Sequence, residues 1–149
     1  MNPTRNNLPL KVRKEAIALL NARLADAIDL NMQAKQARWN VKGPQFFQRH
    51  ELLDKVAETA EEAVDTIADR AVALGGPAEG TIAAVAKATT LPPYALSVKD
   101  GRGHVERVAQ ALAAFGEQVR DAIERADRLG DKDTADLFTG VSRDADKYL

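Results

Sequence analysis

Between Phe46 and Leu74 the chain carries neither proline nor glycine, and apolar side chains recur at Leu53, Val56, Ala57, Ala60, Val64, Ile67, Ala71 and Leu74. That spacing of three and four is the period of an amphipathic helix, so the run predicts one long helix. Advancing about 100° per residue gathers these positions into one stripe and sets His50, Asp54, Glu61, Asp65 and Asp69 along its border. Side chains able to hold a metal therefore flank the face that enters the core.

Spacing divides them into two groups. His50 and Asp54 are i,i+4 neighbours and share a face, as do Asp65 and Asp69. From Asp54 to Asp65 a helix rises about 16 Å, whereas the ligands of one iron or zinc ion lie about 2 Å from it. A single helix cannot close one site with both pairs. Two copies paired antiparallel across a two-fold axis can, because the His50/Asp54 end of one then meets the Asp65/Asp69 end of the other. Imidazole with carboxylates suits iron(II), manganese or zinc better than copper(I), since the chain has no cysteine to supply a thiolate. From spacing alone, acids beside an apolar stripe are more often a solvated flank.

The neighbouring motif bears on that choice. The run Lys35-Gln36-Ala37-Arg38-Trp39-Asn40-Val41-Lys42-Gly43 precedes Phe46 and Phe47, then His50-Glu51-Leu52-Leu53-Asp54, Asp65-Thr66-Ile67-Ala68-Asp69-Arg70 and Leu74-Gly75-Gly76. In order and spacing this resembles the Dps family, the ferritin-like DNA-binding proteins of starved cells. The likeness continues through Gly80-Thr81, Pro93-Tyr94, His104-Val105, Asp133-Thr134-Ala135-Asp136 and Ser142-Arg143-Asp144. The resemblance implies an all-α, ferritin-like four-helix bundle with a long crossover between the second and third long helices, a short helix within that crossover, and a dodecameric shell. It also implies iron as the metal, with His50, Asp54, Asp65 and Asp69 as ligands and catalytic residues at an intersubunit centre. There iron(II) would be oxidised with hydrogen peroxide and stored as ferric mineral. Trp39, the one tryptophan, would lie near the centre and absorb oxidising equivalents.

Two residues depart from the family pattern at the centre. Arg38 stands where the family has a ligand histidine, and Asp69 where it has a glutamate. A guanidinium has no lone pair to give a metal. Arg38 follows Leu20, Leu24, Ala27, Asn31 and Ala34 along one helical face, so its charge is directed inward and needs a carboxylate partner. The expected partners are Asp54, or Asp65 or Asp69 of the partner subunit; the alternative is that Arg38 snorkels away. The competing function is a structural or DNA-binding shell whose oxidation centre has decayed, and a third is a helical adaptor without a shell.

At 149 residues the chain fits one domain, with residues 1–9 a flexible basic tail and 10–149 the bundle. No apolar run approaches the roughly 20 residues of a membrane span, and no signal pattern opens the chain, so a cytoplasmic, nucleoid-associated location is expected. A net charge of −1 argues against a nucleic-acid-coating surface but leaves room for a local arm. Arg5, Lys11, Arg13 and Lys14 form such an arm, which the resemblance implies can touch DNA phosphates without reading sequence. Helices are expected from about residue 8–11 to 40, 46 to 74, 82 to 87, 103 to 129, and from the acids at 131–136 onward. His104 is expected at the surface or as a cap. Asp131 and Asp136 are expected, by resemblance, to line a three-fold pore.

Overall fold

A computed structural model describes all 149 residues. Five helices follow in order and no strand: α1 (Leu10–Asn40), α2 (Phe46–Ala73), α3 (Ile82–Ala88), α4 (Gly101–Leu129) and α5 (Lys132–Asp146). The four long ones make the bundle. Each boundary has a local cause. Gly43, at φ 89°, breaks the chain after α1 and turns it into α2. Gly75, at φ 93°, ends α2, with Gly76 N–H donating to Ala71 and Gly75 N–H to Val72, the paired bonds of a Schellman cap. A methyl group at Gly75 would stand 2.7 Å from the Asn2 carbonyl oxygen, so this turn needs glycine for space as well as for φ.

α4 starts two residues earlier than expected. The Asp100 carboxylate accepts from Gly103 N–H at 2.7 Å, and this N-cap draws Gly101 and Arg102 into the helix. Thr81 and Asp131 cap α3 and α5 in the same way.

The connections fix the directions. Gly101, at the start of α4, lies against Arg49 at the start of α2. Arg70, near the end of α2, reaches Asp131 and Thr134, where α4 has ended and α5 begins. Hence α2 and α4 run parallel, which is what the long crossover from residue 74 to 100 makes possible. Most of the core lies along the bundle axis, around Leu20, Leu24, Leu30, Ile67, Phe115 and Phe138. A second cluster, containing Ala37, Val41, Leu53, Val56 and Val108, sits under the α1–α2 turn. It is the floor beneath the candidate site.

The crossover is tied down by residues whose importance periodicity does not reveal. Asp26 is fully buried on α1 and accepts from Arg23 Nε at 3.0 Å, from Thr90 N–H at 2.7 Å and from the Thr90 hydroxyl. One turn on, Asp29 accepts from the Thr89 hydroxyl at 2.7 Å, and the Gln33 amide donates to the Pro92 carbonyl. A buried carboxylate with several donors is stable where an unpaired one would cost several kcal/mol, on the order of 3–5. Sequence reading passed over Asp26 because a lone acid in a helix looks like surface.

His104 corrects another expectation. It is 2% exposed, with Nδ1 2.5 Å from the Tyr94 hydroxyl, so it is a buried core group. Burial pushes its pKa below the ordinary histidine value and pushes that of Tyr94 up, although Asp100 partly opposes the first shift. The phenol therefore keeps its proton and shares a hydrogen bond with a neutral imidazole. Because the folded chain resists protonation at His104 and the unfolded chain does not, the unfolded state binds more protons as pH falls below the ordinary value of 6.5. Stability from neutral His104 is complete above that value and declines beneath it. Denaturant midpoints measured from about pH 7 to pH 5 are expected to fall with a shallower slope in His104→Gln than in the wild type.

Candidate metal centre

α1 and α2 bring Arg38, His50 and Asp54 together beside the short turn that joins them. His50 and Asp54 sit one turn apart on α2, with Nδ1 and Oδ2 3.8 Å apart, too long for a hydrogen bond. The other Asp54 oxygen faces Arg38 Nε in an ion pair. Of the partners left open for Arg38, the structure therefore supplies Asp54 of the same chain. The side chains of Arg38, His50 and Asp54 are 32%, 31% and 38% exposed, so this is a half-open group of three at the rim of a face.

That face is apolar. Trp39 is 58% exposed, and Phe46 and Phe47 are also bared around the centre. Phe46 lies 5.3 Å, ring to ring, from His50 and helps hold its imidazole. Several large side chains exposed together are the ordinary sign of a contact surface.

Asp65 and Asp69 lie exposed farther along α2 and do not reach this cluster. Nowhere does the chain bring three histidine or acidic side chains into one metal-holding group. One protomer thus presents His50 and Asp54 at one end of α2 and Asp65 and Asp69 toward the other, two incomplete halves.

The remaining expected site residues divide. Asp131 is 1% exposed, accepts from Arg70 at 2.7 Å and caps Thr134, so it does not line a channel. Its carboxylate is committed to joining α2 to the start of α5. Asp136 is exposed on α5 and stays available to a pore. Arg13, expected in the DNA arm, instead donates to the Leu8 and Leu74 carbonyls at 3.1 and 3.2 Å, closing the C-terminal end of α2. Arg5, Lys11 and Lys14 are exposed. Around them the segment expected to be a flexible tail makes definite bonds: Asn2 N–H donates to Gly75 and the Thr4 hydroxyl to Ala73. The free carbonyls at the end of α2 give it something to hold.

Four long helices, a long crossover and paired imidazole and carboxylate on α2 define a ferritin-like bundle, and the family model of the ferritin-like domain matches residues 17–149. Within that class the chain belongs to the Dps family, the DNA protection during starvation proteins. It is 42% identical to the DNA protection during starvation protein of Agrobacterium fabrum over 98% of this chain and 90% of the relative. DpsC from Streptomyces coelicolor superposes with a TM-score of 0.93 at 32% identity, covering 99% of this chain and 86% of that one. Mycobacterium smegmatis Dps gives 0.92 at 27% identity, covering 99% and 89%. No helix is long and apolar enough to cross a membrane.

Proposed function

We propose that this chain assembles into a dodecameric shell that takes up iron(II), oxidises it with hydrogen peroxide at centres shared between subunits, and stores the ferric product. The observation that carries this reading is the splitting of the ligand set on α2, with His50 and Asp54 beside an exposed apolar face and Asp65 and Asp69 standing apart from them. Antiparallel pairing of two copies would cover Trp39, Phe46 and Phe47 and bring each half against the other's complement. Iron(II) is the substrate. Each of two iron(II) ions gives up one electron, the peroxide O–O bond breaks, and its oxygens pass with water into ferric oxyhydroxide while protons leave to solvent. Carboxylates favour the ferric product because they are hard, anionic oxygen donors. Removing iron(II) denies peroxide the reductant it needs to make hydroxyl radicals.

Within this reading Arg38 holds Asp54 until iron displaces it, so the centre is guarded and iron enters against a fixed positive charge. Asp136 would guide cations inward. The relatives' name points to DNA as a partner, and Arg5, Lys11 and Lys14, repeated over a shell, would give weak phosphate contacts that add through avidity. A bacterial cytoplasm beside the nucleoid is the setting this implies.

The Arg38–Asp54 pair also favours a second reading, a structural or DNA-binding shell in which the guanidinium has replaced iron for good. Titrating the apo-protein with iron(II) and then peroxide decides between them. The proposed function gives saturable growth of ferric absorbance with one peroxide consumed for two iron(II). Oxidation no faster than in buffer leaves only the shell.

A further inference from the structure

We propose that the half-open cavity between α1, α2, α4 and α5 is a binding site for a small hydrophobic primary amine, a single ring carrying a short ammonium arm. Its floor is formed by Leu30, Val56, Leu112, Phe115 and Val141, one or two residues from each of the four long helices. The cavity measures about 180 Å³. An apolar cavity of about 150 Å³ in another protein is known to stay dry and take benzene, so this one has room for a ring.

The mouth gives the ligand its charge. Glu62, Asp144, Thr59 and Tyr148 lie both on the cavity and on a polar recess that opens from it, where Lys55, Glu58 and Lys147 also stand. Lys55 pairs with Glu58 at 3.2 Å and Lys147 with Asp144 at 3.1 Å, leaving Glu62 without a cation. Three carboxylates against two ammonium groups leave one net negative charge however the exposed pairs rearrange. A ring seated on Phe115 and Leu112 would direct a short ammonium arm outward past the Thr59 hydroxyl to the Glu62 carboxylate. An anion would meet repulsion there, and a neutral ring would gain only the floor.

Gly140 supplies a clean test. It lines the cavity from the middle of α5, and a methyl group added there meets nothing within 4 Å. Leucine at this position meets no backbone and would stand over the cavity from its edge, and replacing a mid-helix glycine favours the helix. The experiment is a fluorine NMR titration of the assembled full-length protein with 4-fluorobenzylamine, 4-fluorobenzyl alcohol and 4-fluorophenylacetate. The amine is expected to bind saturably at one per chain, the alcohol at least threefold more weakly and the anion at least tenfold more weakly. Glu62→Gln should bring amine and alcohol within twofold of each other, and Gly140→Leu, with its helical signal intact, should abolish binding of both. No saturable binding of any probe, undiminished binding to Gly140→Leu, or a preference for the amine that survives Glu62→Gln would each overturn the proposal.

Discussion

An Arg38→His variant is expected to bind and oxidise iron(II) at least tenfold faster than the wild-type chain at sub-saturating iron. The wild-type guanidinium opposes iron in two ways: it occupies one Asp54 oxygen, and it carries a positive charge at every accessible pH, which repels a dication. Histidine reverses both, since a neutral imidazole releases Asp54 and offers a lone pair of its own. Changes that disturb the orientation of ligands around a metal typically alter affinity or activity by about 10–100-fold, so the gain of a ligand should be no smaller. Arg38→Ala separates the two contributions. It removes the charge without adding a ligand, and its rate should fall between those of the wild type and the histidine variant. Stopped-flow ferric absorbance provides the measurement, and identical rates for all three proteins would show that Arg38 has no part in the centre.

The second large effect concerns folding. Asp131→Ala is expected to cost about 3–5 kcal/mol, the usual penalty for removing one partner of a buried ion pair. The loss is severe because Asp131 does two things at once: it neutralises Arg70, whose side chain is only 14% exposed, and it caps α5 through Thr134. The other acid near Arg70 is Asp133, at 3.8 Å and 85% exposed, too weakly placed to take over. Asp136→Ala should stay within about 0.5 kcal/mol of wild type, as exposed substitutions generally do. Denaturant unfolding of the two variants side by side is the check. An Asp131→Ala protein of ordinary stability but slow iron entry would return Asp131 to the pore.

These two residues show how far the sequence carries. Arg38 was legible because helical spacing placed it on the face of Leu20 and Leu24, where a permanent charge needs a carboxylate, and Asp54 stands where such a partner was sought. The helices were legible for a related reason: their periodicity is long and their ends are marked by Gly43, Gly75 and Gly130, each at positive φ. Asp131 was misread because a helix-start acid looks the same in sequence whether it faces solvent or a buried guanidinium 61 residues away. For the same reason Asp26 goes unmarked, Arg13 reads as part of a DNA arm and His104 as a surface or cap residue. Their partners are the crossover backbone, the end of α2 and Tyr94, and such long-range polar pairings leave no periodic trace. Local spacing finds apolar stripes; it does not find what a single polar residue will touch.

The proposed centre is one that two chains complete together. Diffraction from crystals of the assembled protein soaked anaerobically in iron(II), with anomalous data collected on both sides of the iron edge, tests this directly. The predicted result is a peak lying between His50 and Asp54 of one subunit and the two aspartates of α2, at positions 65 and 69, of its two-fold mate. Iron found only elsewhere, with these two halves facing solvent on separate subunits, would contradict it.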